Sequence, residues 1–153
     1  MVLRTASKAY ALAGLRVGFA MARPELITDL NPYRPPGSVS TISVTLVTEA
    51  LLDPTILADN LARVEQERAR LRTALNDAGW PAGPSVTNFL LVDQGSVARA
   101  AAAADAMLRR GLVPRTFPTG HPLAAFLRLT VRDAAENDRL IEAARAADLE
   151  ATP

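Results

Sequence analysis

A single long amphipathic segment between Asp53 and Gly79 constrains the fold more than any other part of the chain. Asp53 suits a helix N-cap, and Pro54 suits the first helical position, where its missing N–H costs nothing. Leu57, Leu61, Val64, Leu71 and Leu75 follow in near-heptad spacing, and Gly79 is the stop signal. One apolar stripe of this length needs a packed layer beneath it. Glu65 with Arg68 and Glu67 with Arg70 are i,i+3 pairs, read here as the solvated face.

The segments on either side supply the layer. After Trp80 the pattern predicts a strand over Asn88–Val92, an alanine-rich helix over Val97–Arg110, strands over Leu112–Arg115 and Phe126–Val131, and a helix over Ala134–Ala147. The expectation is an α/β sandwich with Val92, Val113 and Leu129 in its core. Before the long helix, Val2–Ala6 begins extended, a turn-like stretch follows, and a second strand ends near Met21. Arg23-Pro24-Glu25 followed by Leu26, Ile27 and Leu30 reads as a short helix closed by the proline-rich loop Asn31–Gly37. Ser40–Leu52 reads as another helix with Ile42, Leu46 and Ala50 on one face. The domain expectation is residues 1–40 as one part, 41–84 as connecting helices, and 85–153 as a small α/β domain.

Composition narrows the function classes. The chain has 153 residues, 49% of them apolar, and a net charge of +1, which gives no long-range field for nucleic acid or anionic lipid. No stretch reaches the roughly 18 apolar residues of a membrane helix, and no signal-peptide layout stands at the N-terminus, so a cytoplasmic location is expected. Cysteine is absent, which removes disulfides, thiolate metal sites and cysteine nucleophiles. His121, the only histidine, stands in a Pro-Thr-Gly-His-Pro loop without a second ligand, so no metal site is expected.

One residue stands out against this background. Of the 17 basic residues, 16 are arginine and one, Lys8, is lysine. Arginine stays protonated, whereas a lysine amine can lose its proton and attack a carbonyl to form a Schiff base. On composition alone, chance survival of one surface lysine competes with that reading. The neighbours of Lys8 separate the two. Ala9, Ala11, Ala13 and Gly14 let backbone approach a flat ligand closely, Thr5 and Ser7 carry hydroxyls just before the lysine, and Arg16 adds a permanent fork-shaped cation.

The run Arg4-Thr5-Ala6-Ser7-Lys8-Ala9-Tyr10-Ala11-Leu12-Ala13-Gly14-Leu15-Arg16-Val17-Gly18 resembles the cofactor-attachment segment of fold-type I aminotransferases, closest to the histidinol-phosphate aminotransferase branch. The resemblance implies pyridoxal 5'-phosphate (PLP) as cofactor and the end of a large domain plus a small α/β domain as fold. It implies that Lys8 attaches the cofactor and carries the proton between the amino acid and the cofactor, and that Arg16, with Thr5 and Ser7, binds its phosphate. At Ala6 that family usually has a larger apolar residue, a departure expected to weaken packing rather than chemistry. Gly111-Leu112-Val113-Pro114-Arg115 and Phe126-Leu127-Arg128-Leu129-Thr130-Val131 resemble the strand pair lining the family's substrate side. The resemblance makes Arg128 the anchor for a substrate anion and Arg115 its assistant for a phosphate-bearing substrate. Strand alternation alone leaves Arg128 open to a second reading, as an outward solvent-facing residue. Asn88 is read as a turn or cap, and Tyr33 is assigned no role.

The resemblance matches only the second part of the longer family pattern, so a truncated frame, a fragment and a component of a split enzyme are all open. Two functional classes follow. One is an aminotransferase acting on an anionic amino donor and acceptor, as a homodimer or in association with a missing N-terminal part. The other is a non-catalytic interaction module whose apolar surface around Val2, Leu3, Leu15, Val17 and Phe19 seeks cover. Within the enzyme class, a threonine-phosphate decarboxylase-like PLP enzyme is the alternative.

Overall fold

The structure is a computed structural model that describes residues 1–150, with side chains described as far as residue 147. The chain resolves into two compact units, Met1–Ala62 and Arg63–Pro153.

In the first unit, β1 (Val2–Thr5) pairs antiparallel with β2 (Gly18–Met21), from Val2 opposite Met21 to Thr5 opposite Gly18. Gly18 suits that register, because a Cβ there would stand 3.3 Å from the Arg4 carbonyl oxygen. Two helices follow, α1 (Pro24–Leu30) and α2 (Thr41–Leu52). Ser40 caps α2 by accepting from the Ser43 N–H at 3.1 Å. The core here is thin: Ala6, Val17 and Val47 are buried, with Tyr10, Leu12, Leu15, Phe19 and Val39 packed around them. Val17 was expected on the exposed apolar surface and is instead 7% exposed, and Leu15 and Phe19 are half-buried. Val2 and Leu3 do stand exposed, at 47% and 67%. The expected buried face of α2 needs correction too. Ser43, Val47 and Ala50 turn inward, while Ile42 and Leu46 are exposed.

Helix α3 (Pro54–Asp77) begins in the first unit and continues into the second. The Asp53 carboxylate accepts from the Thr55 N–H at 2.9 Å and the Thr55 hydroxyl at 2.6 Å, which satisfies an orphan donor of the first turn. The Thr55 hydroxyl and amide also hold that carboxyl below its usual pKa. At the other end Gly79 takes φ +74°. The Trp80 N–H then reaches the Leu75 carbonyl at 2.9 Å and the Gly79 N–H the Asn76 carbonyl at 3.1 Å, the two bonds of a Schellman cap. Leu75 and Trp80, brought together by that cap, are both buried. No single helix among the described residues is long and apolar enough to cross a membrane.

The second unit is built on β3 (Phe89–Asp93) and β4 (Phe126–Thr130), paired antiparallel from Phe89 opposite Thr130 to Asp93 opposite Phe126. Alternation sends Leu90, Val92, Leu127 and Leu129 into the core. There they pack with Leu71 and Leu75 of α3, the small residues Ala100, Ala103 and Ala104 with Met107 of α4 (Val97–Arg109), and Leu140, Ile141 and Ala144 of α5 (Ala134–Glu150). Two expectations fail here. Leu112–Arg115 forms no strand; only Arg115 pairs, in a one-residue bridge to Arg128. Pro114 has no N–H for a ladder, and Val113 is 83% exposed instead of in the core.

The charged pairs of α3 differ from expectation as well. Arg68 donates to the Thr87 carbonyl at 3.0 Å. Glu67, read as solvated, is only 8% exposed. It accepts from Arg70 through both carboxylate oxygens and from the Asn137 amide at 2.8 Å, and Asn137 is fully buried. Asn137 also donates to the Arg132 carbonyl at 2.9 Å and accepts the Arg132 N–H at 3.0 Å. Hydrogen bonding from Arg70, then from Asn137, holds the Glu67 carboxyl below its ordinary range. The result is a satisfied polar clamp between α3 and the start of α5.

Candidate functional site

Residues 6–17 form a loop whose two ends are tied together, since the Ala6 N–H donates to the Val17 carbonyl at 3.2 Å. Ala6 has no exposed surface, so a side chain larger than a methyl has no room there without a shift of its neighbours. Inside the loop the Ala11 N–H donates to the Lys8 carbonyl at 2.9 Å and the Leu12 N–H to the Ala6 carbonyl at 3.1 Å. The Asn60 amide donates to the Ala9 carbonyl at 3.1 Å. The main chain around Lys8 is therefore fixed by local bonds, while the Lys8 side chain is exposed.

The two hydroxyls form an ordered pair. Thr5 Oγ1 accepts the Ser7 N–H at 3.1 Å and lies 2.9 Å from Ser7 Oγ and 3.2 Å from the Val17 carbonyl. A hydroxyl has one proton, so Thr5 gives it to one of these two acceptors at a time. When Ser7 Oγ receives it, Ser7 keeps its own proton to donate outward. Thr5 thus organises the pair and Ser7 presents it.

Arg16 occupies the left-handed region at φ +57°, as does Ala11 at the same value. Gly14, by contrast, has ordinary φ and open space around a hypothetical Cβ, so its lack of a side chain is not what the turn requires. A non-glycine residue in that region costs about 1 to 2 kcal/mol. The Arg16 guanidinium donates to the Ala13 carbonyl at 3.0 Å and is otherwise exposed. The loop accordingly offers an amine, a hydroxyl donor and a permanent cation.

In the second unit, Arg115 and Arg128 exchange both backbone bonds: Arg115 N–H to Arg128 carbonyl at 3.1 Å, and Arg128 N–H to Arg115 carbonyl at 2.9 Å. Directly opposed residues of an antiparallel bridge project to the same face. Both arginines are exposed, on the face of the sheet away from the core, so alternation settles the open orientation of Arg128 as outward. Among the described residues neither guanidinium has a hydrogen bond or an ion pair. Arg128 does sit over the Phe89 ring, its Cζ 5.0 Å from the centroid. Phe89 carried no signal in the sequence beyond strand propensity. Asn88 acts through its backbone, its carbonyl accepting the Val131 N–H at 2.9 Å. His121 stacks on Phe117 with centroids 5.1 Å apart and accepts the Leu123 N–H at 3.0 Å.

Comparison with known proteins gives a consistent placement. Histidinol-phosphate aminotransferase of Granulibacter bethesdensis is 42% identical over 146 residues, which make up 95% of this chain and 39% of that protein. The aromatic amino acid aminotransferase of Mycolicibacterium paratuberculosis is 39% identical over 142 residues, 93% of this chain and 38% of that one. Among solved structures, histidinol-phosphate aminotransferase from Sinorhizobium meliloti in complex with pyridoxal-5'-phosphate superposes with a TM-score of 0.89 at 30% identity, covering 98% of this chain and 41% of that one. The chain thus spans about two fifths of the length of the curated relatives it matches. The sequence pattern described as Aminotransferase class I and II matches residues 1–143. Coverage of that extent, over a chain whose only lysine stands on a hydrogen-bonded loop between paired strands, means that this chain belongs to the class I and II aminotransferase family.

Proposed function

We propose that this chain supplies the cofactor-binding lysine and the substrate-anion arginines of a PLP-dependent aminotransferase of the histidinol-phosphate type. Such an enzyme transfers an amino group between an amino acid and a 2-oxo acid or phosphorylated ketone. The observation that carries the reading is the loop of residues 6–17, which holds the main chain of Lys8 rigid and leaves its amine exposed.

The donor set fits the cofactor's two ends, the reactive aldehyde and the anchoring phosphate. Lys8 would hold the aldehyde carbon, and Ser7, ordered by Thr5, would hold phosphate oxygens together with Arg16. When bound, PLP supplies an electron sink for the substrate's Cα. The chain's own contribution is to orient that carbon, to neutralise the phosphate, and to move a proton at Nζ of Lys8. Arg128, assisted by Arg115, would take a carboxylate or phosphate of the substrate, for which two guanidiniums without an anionic partner among the described residues are suited. Partners are an anionic amino donor and acceptor, and either a second copy or a polypeptide like the three fifths of its relatives that this chain does not span.

The test uses PLP, borohydride and peptide mass spectrometry. Lys8 is the only side-chain amine, so in a polypeptide of residues 1–153 the amine that competes with it is the N-terminal one on Met1. We expect the reduced pyridoxyl group on Lys8, less of it in Arg16→Ala, and none on that side chain in Lys8→Ala. Labelling of Met1 alone, or Lys8 labelling indifferent to Arg16→Ala, would leave a motif without a site. A second reading, a non-catalytic interaction module, draws on the exposed Leu3, Ile42 and Leu52 of the first unit. That result would favour it.

A further inference from the structure

Arg115 and Arg128 present a physical problem that their backbone pairing creates. Two permanent cations stand directly opposite one another on one sheet face, a placement that is unfavourable for like charges. Nothing of opposite charge among the described residues relieves it. Each side chain is long and exposed, so each is free to swing away from the other, and its position is set by what it swings toward.

The Phe89 ring is in position to hold one of them. In the β3–β4 register Phe89 faces Thr130 and Arg128 faces Leu91, which puts Phe89 diagonally beside Arg128 on the same outward face. The Arg128 Cζ lies 5.0 Å from the ring centroid, within the range of a cation–π contact. The ring attracts the cation through its quadrupole and uses no N–H donor in doing so. Every donor of Arg128 is left for an incoming oxyanion.

We propose that Phe89 is a positioning residue. It restrains the Arg128 guanidinium on the β3 side of the sheet face, clear of Arg115 on the other edge of β4, so that its N–H donors are ordered for an oxyanion before the anion arrives. The proposal rests on the reading of Arg128 and Arg115 as the substrate-anion arginines and adds the residue that sets the geometry of Arg128. Preorganisation of this kind acts on affinity by cutting the ordering cost of binding.

The experiment uses the full chain labelled with [15N]arginine and inorganic phosphate as the probe, at constant ionic strength. The Arg115 and Arg128 Nε–H signals are assigned with Arg115→Gln and Arg128→Gln. In the wild-type chain the Arg128 signal should carry a ring-current shift before phosphate is added, and both signals should move together during the titration. In Phe89→Leu the ring-current shift should vanish and phosphate should bind about two- to fivefold more weakly. Phe89→Tyr, which restores the ring, should restore both. A merely structural role for Phe89 predicts no such rescue coupled to the Arg128 signal. Phosphate affinity unchanged in Phe89→Leu, with wild-type binding intact, would overturn the role of Phe89 and leave the anion-binding pair standing. Wild-type signals unmoved by phosphate would overturn both. If Phe89→Leu fails to fold, judged by Trp80 emission, the wild-type spectrum still decides, because an Arg128 signal without a ring-current shift contradicts the stacked geometry.

Discussion

The two units differ most in how much apolar surface they bury. The unit from Arg63 onward has a continuous core running from Leu71 through Trp80, Val92 and Leu127 to Ala144. The unit ending at Ala62 gathers only Ala6, Val17 and Val47 into a core, and leaves Leu3, Ile42, Leu51 and Leu52 at 45% exposure or more. The difference separates the two candidate sites. The arginine pair stands on a unit with a core of its own, whereas Lys8 stands on a unit whose apolar surface is largely uncovered.

The strongest challenge to that contrast is removal of a core side chain. Leu127→Ala should cost about 3 kcal/mol, because Leu127 is fully buried among elements that cannot close the gap. Trp80, the only tryptophan and 2% exposed, reports that unfolding by its emission. Val47→Ala in the thin core should cost about half as much and speed amide exchange in β1 and β2 while leaving the Trp80 transition in place. Equal effects of both substitutions on the Trp80 transition would erase the distinction.

The polar clamp sharpens the comparison at intermediate size. Glu67→Ala should destabilise the second unit by about 2 kcal/mol, since it leaves the buried Asn137 amide short of a partner. The pH dependence follows from the lowered Glu67 pKa. A carboxyl held below its ordinary value of 4.5 contributes stability that is fully present above about pH 4.5 and is lost as the pH falls through the folded value. Urea unfolding across that window should therefore show a shallower acid slope in Glu67→Gln than in the wild-type chain. Parallel slopes would contradict the clamp.

The smallest change in stability should bring the clearest change in association. Leu3→Asp alters a 67%-exposed side chain, so unfolding should shift by no more than about 0.5 kcal/mol. Light scattering at high concentration should nevertheless show less self-association than in the wild-type chain, along with lower binding of an apolar dye. A wild-type chain that stays monomeric and binds no dye would mean that the uncovered surface of the first unit is tolerated as it stands.

Sequence reading succeeded where the determining signal is local. The Asp53 cap, the Gly79 stop and the alternation through Leu90, Val92, Leu127 and Leu129 are written within a few residues of each other and appear in the structure. It failed where the partner is remote. Glu67 looks like any helix-surface acid until Asn137, seventy positions along the chain, is brought against it. Helix α2 is apolar on several sides, so periodicity could not choose between the face holding Ile42 and Leu46 and the one holding Val47 and Ala50. Val113 stands outside the core because Pro114 beside it has no N–H to give a ladder, which an apolar side chain alone does not reveal. In the candidate site, that Lys8, Ser7 and Arg16 lie together was legible because they share one short loop. The order of the Thr5 and Ser7 hydroxyls, the left-handed backbone at Arg16 and the ring beneath Arg128 depend on torsions and register that composition does not encode.

The tie between Ala6 and Val17 gives Lys8 the mechanics of a lever on a fixed pivot. With its own carbonyl held by the Ala11 N–H, the residue has its backbone tied locally, and rotation about the side-chain bonds is the freest way to displace Nζ. The proton relay proposed for Lys8 would then run on rotamer exchange, which in an exposed side chain takes picoseconds to nanoseconds while loop motion is slower. The same pivot makes Ala6 the sensitive point of the lever: a bulkier residue there would shift the fulcrum, and the arc swept by the amine with it, without touching any group that performs chemistry.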